Sequence, residues 1–145
     1  MKKAGIIITL LTLSITSFAS QDEEAIKQII KGAYVEGIQN LGSLEAIDKG
    51  FHPGFELIGI GKDGYTIWET PIYSWRERVR QKKGVSQAPA KEKVTCQFEF
   101  VDITGRAAIA KIYLFRNGEK IFTDYLSLYK FDNGWRIVSK IFNRH

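Results

Sequence analysis

Two turn signals near the C-terminus dictate how the second half of this chain can pair. Asn117-Gly118 is a two-residue type I′ hairpin signal, and Asp132-Asn133-Gly134 is a three-residue loop with Gly where φ must be positive. Both interrupt runs rich in β-branched and aromatic residues. Pairing Arg116 with Glu119 sets Ile112 opposite Thr123, Ala110 opposite Tyr125 and Ala108 opposite Ser127. Pairing Phe131 with Trp135 sets Tyr129 opposite Ile137, Ser127 opposite Ser139 and Tyr125 opposite Ile141. One face then carries Ala108, Ala110, Tyr125, Ser127, Ser139 and Asn143. Small side chains beside hydroxyls leave room that a packed core would fill, so this face reads as a hollow with polar fittings.

The same periodicities organise the rest. Ser20-Gln21-Asp22-Glu23 has the form of a capping box. Ile26, Ile29, Ile30, Ala33, Tyr34, Gly37, Ile38 and Leu41 follow at helical spacing as one apolar stripe. Ser43 caps a second short helix burying Leu44 and Ile47 and ending at Gly50. Phe51-His52-Pro53-Gly54 reads as a turn, 55–60 as a strand and 65–69 as its return. Thr70-Pro71 opens a third helix with Ile72, Trp75 and Val79 on its buried stripe, ended by Gly84. A loop over 85–91 leads to four strands, about 93–103, 106–116, 119–131 and 135–144. Helices followed by a long antiparallel run make an α+β fold. A strongly twisted sheet of this length curls around its helices and leaves a cone whose mouth suits a ligand.

The N-terminus reads as an export signal. Lys2 and Lys3 precede the apolar stretch Ala4–Ile15, and Ser17-Phe18-Ala19 offers a small-x-small cleavage site. The stretch is shorter than the roughly 20 residues a bilayer span needs, so no stable membrane anchor is expected. Residues 1–19 are assigned to the signal and 20–145 to one domain, exported to the periplasm or beyond. Without Lys2 and Lys3 the net charge falls from +5 to +3, too mild to argue for nucleic acid. Cys96 is the single cysteine, so packing rather than a disulfide must hold the fold. Two histidines, His52 and His145, and one cysteine show no ligand spacing, and neither a metal nor a cofactor is expected.

The order of elements resembles the nuclear transport factor 2-like superfamily, which includes ketosteroid isomerases and polyketide cyclases. Within it, Phe51-His52-Pro53, the run from Thr123 to Phe131, and Asn133-Gly134-Trp135-Arg136-Ile137-Val138 look like the lumazine-binding group. That resemblance implies a cone with helices in the concave face of a curved sheet, and a pocket for a small molecule, aromatic ones among the candidates, with no established reaction. It also implies pairing through the outer sheet face, as relatives often do. Laid on the ketosteroid isomerase pattern, Tyr34 matches the oxyanion-hole tyrosine. The general-base position falls on Gly59, and the position of the protonated acid falls on Ser127. Two of three roles lose their acid, and an oxyanion donor is worth about 2.7–4 kcal/mol of barrier. That argues against isomerase chemistry.

Tyr34, Trp75, Ala110, Tyr125, Ser127 and Ser139 are therefore the candidate ligand-binding residues. The tyrosines would supply ring faces and hydroxyls, the serines orientation. The alternative is a core whose hydroxyls satisfy one another. Asp124 has the opposite parity and is expected outside, opposite Lys111 and diagonal to Lys140 and Arg144, as a cross-strand charge pair. Glu99 depends on the turn at Thr104-Gly105: two residues point it inwards, three point Phe98 and Phe100 inwards instead. If inside, it is the candidate acid or base. These readings favour an exported, dimeric, non-enzymatic small-molecule binder. An isomerase-, dehydratase- or cyclase-like enzyme using Glu99 with Tyr34 is the alternative, and a protein-interaction module a third.

Overall fold

The computed structural model describes residues 12–83 and 92–145, with side chains from Gln21 onward. The expected loop 85–91, the expected helix stop at Gly84 and the first eleven residues of the expected signal lie outside the described residues. Helix α1 (Thr12–Ile29) runs on without a break into a π-helix (Ile30–Gln39), followed by α2 (Leu44–Gly50). Strands β1 (Phe51–Ile60) and β2 (Ile67–Pro71), helix α3 (Ile72–Lys82) and strands β3 (Val94–Thr104), β4 (Ala107–Arg116), β5 (Glu119–Phe131) and β6 (Gly134–Arg144) complete the order. The strands form one sheet in the order β2-β1-β6-β5-β4-β3, antiparallel except where β1 runs parallel to β6.

The α+β cone is the architecture the sequence pattern implied. Ile26, Ile30, Ala33, Tyr34, Ile38 and Ile47 from the helices are buried against Phe55, Ala110, Ile112, Leu114, Leu126, Leu128 and Ile137 from the sheet. Each such aliphatic side chain contributes about 1.5–3 kcal/mol relative to exposure. Ser43 caps α2 as expected, its Oγ accepting from Ala46 N at 3.1 Å. Ser20 does not cap, because α1 already runs through it from Thr12. Phe51–Gly54 is not a free turn but the irregular start of β1, where the register against β6 shifts between Phe51 and Glu56. Pro71 ends β2 and stands immediately before α3. Among the described residues no helix is long and apolar enough to cross a membrane.

Three β-bulges decide which side chains face the helices. The Asn117-Gly118 turn is as expected, with φ of 52° and 81° and Arg116 opposite Glu119. The register then shifts between Leu114 and Phe115, leaving Ile121 without a partner. Beyond it, Ile112 faces Asp124, Ala110 faces Leu126 and Ala108 faces Leu128. One inserted residue exchanges the two faces of everything that follows. In the last hairpin Gly134 (φ 112°) pairs with Phe131, so Tyr129 meets Arg136. A second bulge at Val138 restores the expected pairs Ser127–Ser139 and Tyr125–Ile141. The third lies at Glu99, between Phe98 and Phe100.

Candidate functional site

The π-helix sets the first functional side chain. Its i→i+5 pattern, seen in Asn40 N donating to Val35 O at 3.0 Å, stacks residues five apart on one face. Gln39 therefore lies one turn along from Tyr34, and its Nε2 donates to the Tyr34 hydroxyl at 3.1 Å. The C-terminal end of this helix is fixed by Asn40, which donates to Val94 O at 2.9 Å and accepts from Val94 N at 2.8 Å. Tyr34 in turn donates to Asp124 Oδ2 on β5 at 2.6 Å. Lys140 Nζ, from β6, stands 2.8 Å from Asp124 Oδ1. Among the described residues, no donor other than this ammonium reaches Oδ1.

Asp124 is fully buried and Lys140 is 4 % exposed. Aromatic rings wall the cluster. Trp75 lies 5.8 Å from the Tyr34 ring and stacks on Phe55 at 6.0 Å. Lys140 Nζ lies 4.5 Å from the centroid of Phe142, 5.3 Å from Tyr34 and 5.8 Å from Phe122. Trp68, 39 % exposed on the edge strand, folds its indole over Gly59 and comes within 6.1 Å of Phe142. A Cβ at Gly59 would stand 2.0 Å from that indole, so glycine is what admits it.

Electrostatics follow from this dryness. Burial pushes the Asp124 carboxyl above its ordinary value, against the pull of Lys140 and the Tyr34 hydrogen bond. Burial also draws the Lys140 ammonium down, with Asp124 opposing. Burial, then the Asp124 charge, raises the Tyr34 hydroxyl well above the usual phenol. Both members of the ion pair are thus moved towards their neutral forms. A buried pair returns little net stability because desolvation offsets its attraction. Such perturbed groups mark candidate sites of proton transfer.

Across residues 21–143 the chain matches the model of the family described as "Putative lumazine-binding". The chain belongs to that family. Among curated proteins, this family member is 30 % identical over 114 residues to Aldolase FrzH from Cladobotryum sp., covering 77 % of its own length and 83 % of the relative's. Among solved structures it is similar to an NTF2-like protein of unknown function from Shewanella baltica OS155. That match has a TM-score of 0.66 and 24 % identity, and covers 95 % of this chain and 98 % of the other. An NTF2-like protein of unknown function from Silicibacter pomeroyi DSS-3 gives 0.66 at 18 % identity, with coverage of 90 % and 98 %. These structural likenesses establish the nuclear transport factor 2-like fold.

The family member keeps only part of the expected site on its inner face. Tyr34 and Ala110 are buried there, and Trp75 packs beside Tyr34. Tyr125, Ser127 and Ser139 are on the outer face instead, put there by the bulges at Ile121 and Val138. The inner hollow read from Ala108 and Ala110 is filled by Leu128 and Leu126 opposite them. Ser127 lines an open outer groove of about 310 Å³ with Asp102, Thr104, Ile109 and Tyr129. Glu99 is exposed, since it is the residue its bulge leaves unpaired. The turn that follows β3 spans Gly105-Arg106, and Phe98 points inwards against Ile112 while Phe100 is exposed. Asp124, read from parity as an outer charge, is the buried acid. Lys140, expected only diagonal to it, is its ion-pair partner, inside the cone rather than on the outer face, while Ile112 takes the opposite position expected for Lys111. Lys111 stays outside against the rings of Tyr113 and Tyr125.

One signal could have revealed Asp124. The residues sharing its parity, Phe122, Leu126 and Leu128, are more apolar than Thr123, Tyr125, Ser127 and Tyr129. Weighting that contrast above an unbroken hairpin register gives the observed orientation.

Proposed function

We propose that this protein binds a small, flat carbonyl compound in the concave face of its cone and exchanges protons with it through Asp124. The observation that supports this most directly is the Tyr34–Asp124–Lys140 cluster: a hydroxyl, a carboxyl and an amine in one dry, aromatic-walled place. A carboxyl raised towards neutrality can act as an acid or, when ionised, as a base near neutral pH. The Tyr34 hydroxyl is a hydrogen-bond donor of the kind that holds developing charge on oxygen. With Asp124, rather than Ser127, beside Tyr34, the argument from a missing acid no longer stands against enzymatic chemistry. The 30 % identity to a protein named an aldolase supports chemistry at carbon next to a carbonyl.

The test is deuterium uptake at the α-carbon of 1-indanone and 2-tetralone in heavy water, followed by proton NMR. The reading expects exchange above the buffer rate that Asp124→Asn abolishes. Absence of both exchange and binding for these probes and their aldehyde analogues would end it. A non-catalytic binder is the second reading. It is favoured by the internal pairing of the cluster, in which Gln39 and Asp124 already engage the Tyr34 hydroxyl.

The proposal also has the protein exported, on the Lys2–Lys3, apolar and Ser17-Phe18-Ala19 pattern. It has two copies pairing through the outer sheet face, where Ile109, Tyr129 and Ile141 are exposed. N-terminal sequencing of the protein from the cell exterior or periplasm, and sedimentation of the purified chain, test these two points.

A further inference from the structure

We propose that Lys140 is the nucleophile that captures the ligand, its side-chain amine condensing with an aldehyde or ketone to form an imine. The inference rests on the carbonyl-binding reading above and deepens it. Three observations carry it. Lys140 is the buried amine of the concave face, and the rings of Phe142, Tyr34 and Phe122 surround its Nζ at 4.5–5.8 Å. Burial draws the ammonium towards the amine, against Asp124 and the ring faces, which favour the cation. Second, Asp124 Oδ1 lies 2.8 Å from Nζ, a distance at which a proton can pass directly between them. Third, no other donor among the described residues engages that buried oxygen, so Nζ is the group with which it exchanges a proton.

The step balances without any further reactant. The ammonium gives one proton to the Asp124 carboxylate, leaving amine and carboxylic acid. The amine lone pair attacks the carbonyl carbon, a C–N bond forms, and the carbonyl oxygen takes the proton held by Asp124. The carbinolamine nitrogen then loses its extra proton to Asp124. Asp124 returns that proton to the hydroxyl, which departs as water when the nitrogen lone pair forms the C=N bond. The net change is ammonium plus carbonyl giving protonated imine plus water, with Asp124 returned to its carboxylate. The Tyr34 hydroxyl, 2.6 Å from the other carboxyl oxygen, steadies Asp124 through both transfers. The half-buried rings of Phe122 and Phe142 flank Nζ, and the part-exposed Trp68 lies against Phe142.

The experiment uses the full folded domain with 6-methoxy-2-naphthaldehyde and sodium cyanoborohydride at pH 7, with peptide mapping of the reduced adduct. Lys140 is expected to label severalfold faster than the exposed Lys49 and Lys62, because burial moves its amine towards the neutral, nucleophilic form. Lys140→Arg should remove the fast site while leaving the slow ones. Equal labelling of all lysines, or none at Lys140, overturns the proposal. Binding of 6-methoxy-2-naphthalenemethanol, which cannot form an imine, is followed in parallel by tryptophan fluorescence. Alcohol binding without fast Lys140 labelling removes the imine but keeps the pocket. Binding of neither compound removes both.

Discussion

Lys140→Met is the most informative single change. It keeps side-chain length and apolar volume but deletes the charge that accompanies Asp124 in a place water does not reach. Removing one partner of a buried pair costs about 3–5 kcal/mol, because the remaining charge is left uncompensated. A small domain has roughly 5–15 kcal/mol in total, so the variant should stand near the edge of folding. With a urea slope of about 1.5 kcal/mol/M, the midpoint should drop by about 2–3 M. The loss should also depend on pH. Burial raises the folded-state pKa of Asp124, and without Lys140 one of the forces opposing that rise is gone. A carboxyl raised in the folded state contributes stability that is present below its unfolded value and lost as pH rises through the folded value. The variant should therefore be less stable at pH 8 than at pH 5, by more than the parent protein is. Asp124→Asn/Lys140→Met should recover part of the loss, because the amide still accepts from Tyr34 and no charge remains. A single-variant loss below about 1 kcal/mol, with no dependence on pH, would show that water reaches the pair and that the cluster is not dry.

Other expectations concern the frame. Gly50→Ala should destabilise by about 1–3 kcal/mol in urea melts, since its Cβ would stand 2.2 Å from Ala33 Cβ. Gly32→Ala, with nothing within 4 Å, should stabilise by about 0.5–1 kcal/mol. Tyr34→Phe should cost about 1.5–3 kcal/mol by thermal unfolding, the loss of a hydrogen bond to a charged acceptor. Asp22 is lowered by hydrogen bonds from Lys130 and then Trp135. Its contribution is complete above the ordinary carboxylate value and fades as pH falls through the lowered one. Asp22→Asn should therefore shrink the drop in melting temperature between pH 5 and pH 2, and an unchanged drop would count against that linkage.

Much of the fold could be read from residue patterns. The apolar stripe from Ile26 to Ile38, the cap at Ser43 and the four long strands all follow from local periodicity and turn chemistry, and the tertiary structure reinforces them. The site was harder because it depends on parity. A hairpin turn fixes register only as far as the first bulge, and Ile121, Val138 and Glu99 carry no residue signature that marks one. The π-helix is equally silent: Ile30–Gln39 has the same apolar recurrence an α-helix would show. Only its wider winding explains why Val35 is buried with Tyr34 and why Gln39 reaches the Tyr34 hydroxyl. Nothing local in Asp124 or Lys140 distinguishes a surface pair from a buried one; the difference lies in Phe122, Trp75 and Phe142 closing around them.

That wider winding makes the segment from Ile30 to Gln39 sensitive to chain length. Excising one residue would let it tighten to ordinary pitch and swing every position beyond the cut by about 100° around the axis. Gln39 would leave Tyr34, and Asn40 would lose its grip on the first residue of β3. Related chains that differ by a single residue in this stretch would therefore present a different polar group to the acid on β5, a way to diversify chemistry while the sheet stays untouched.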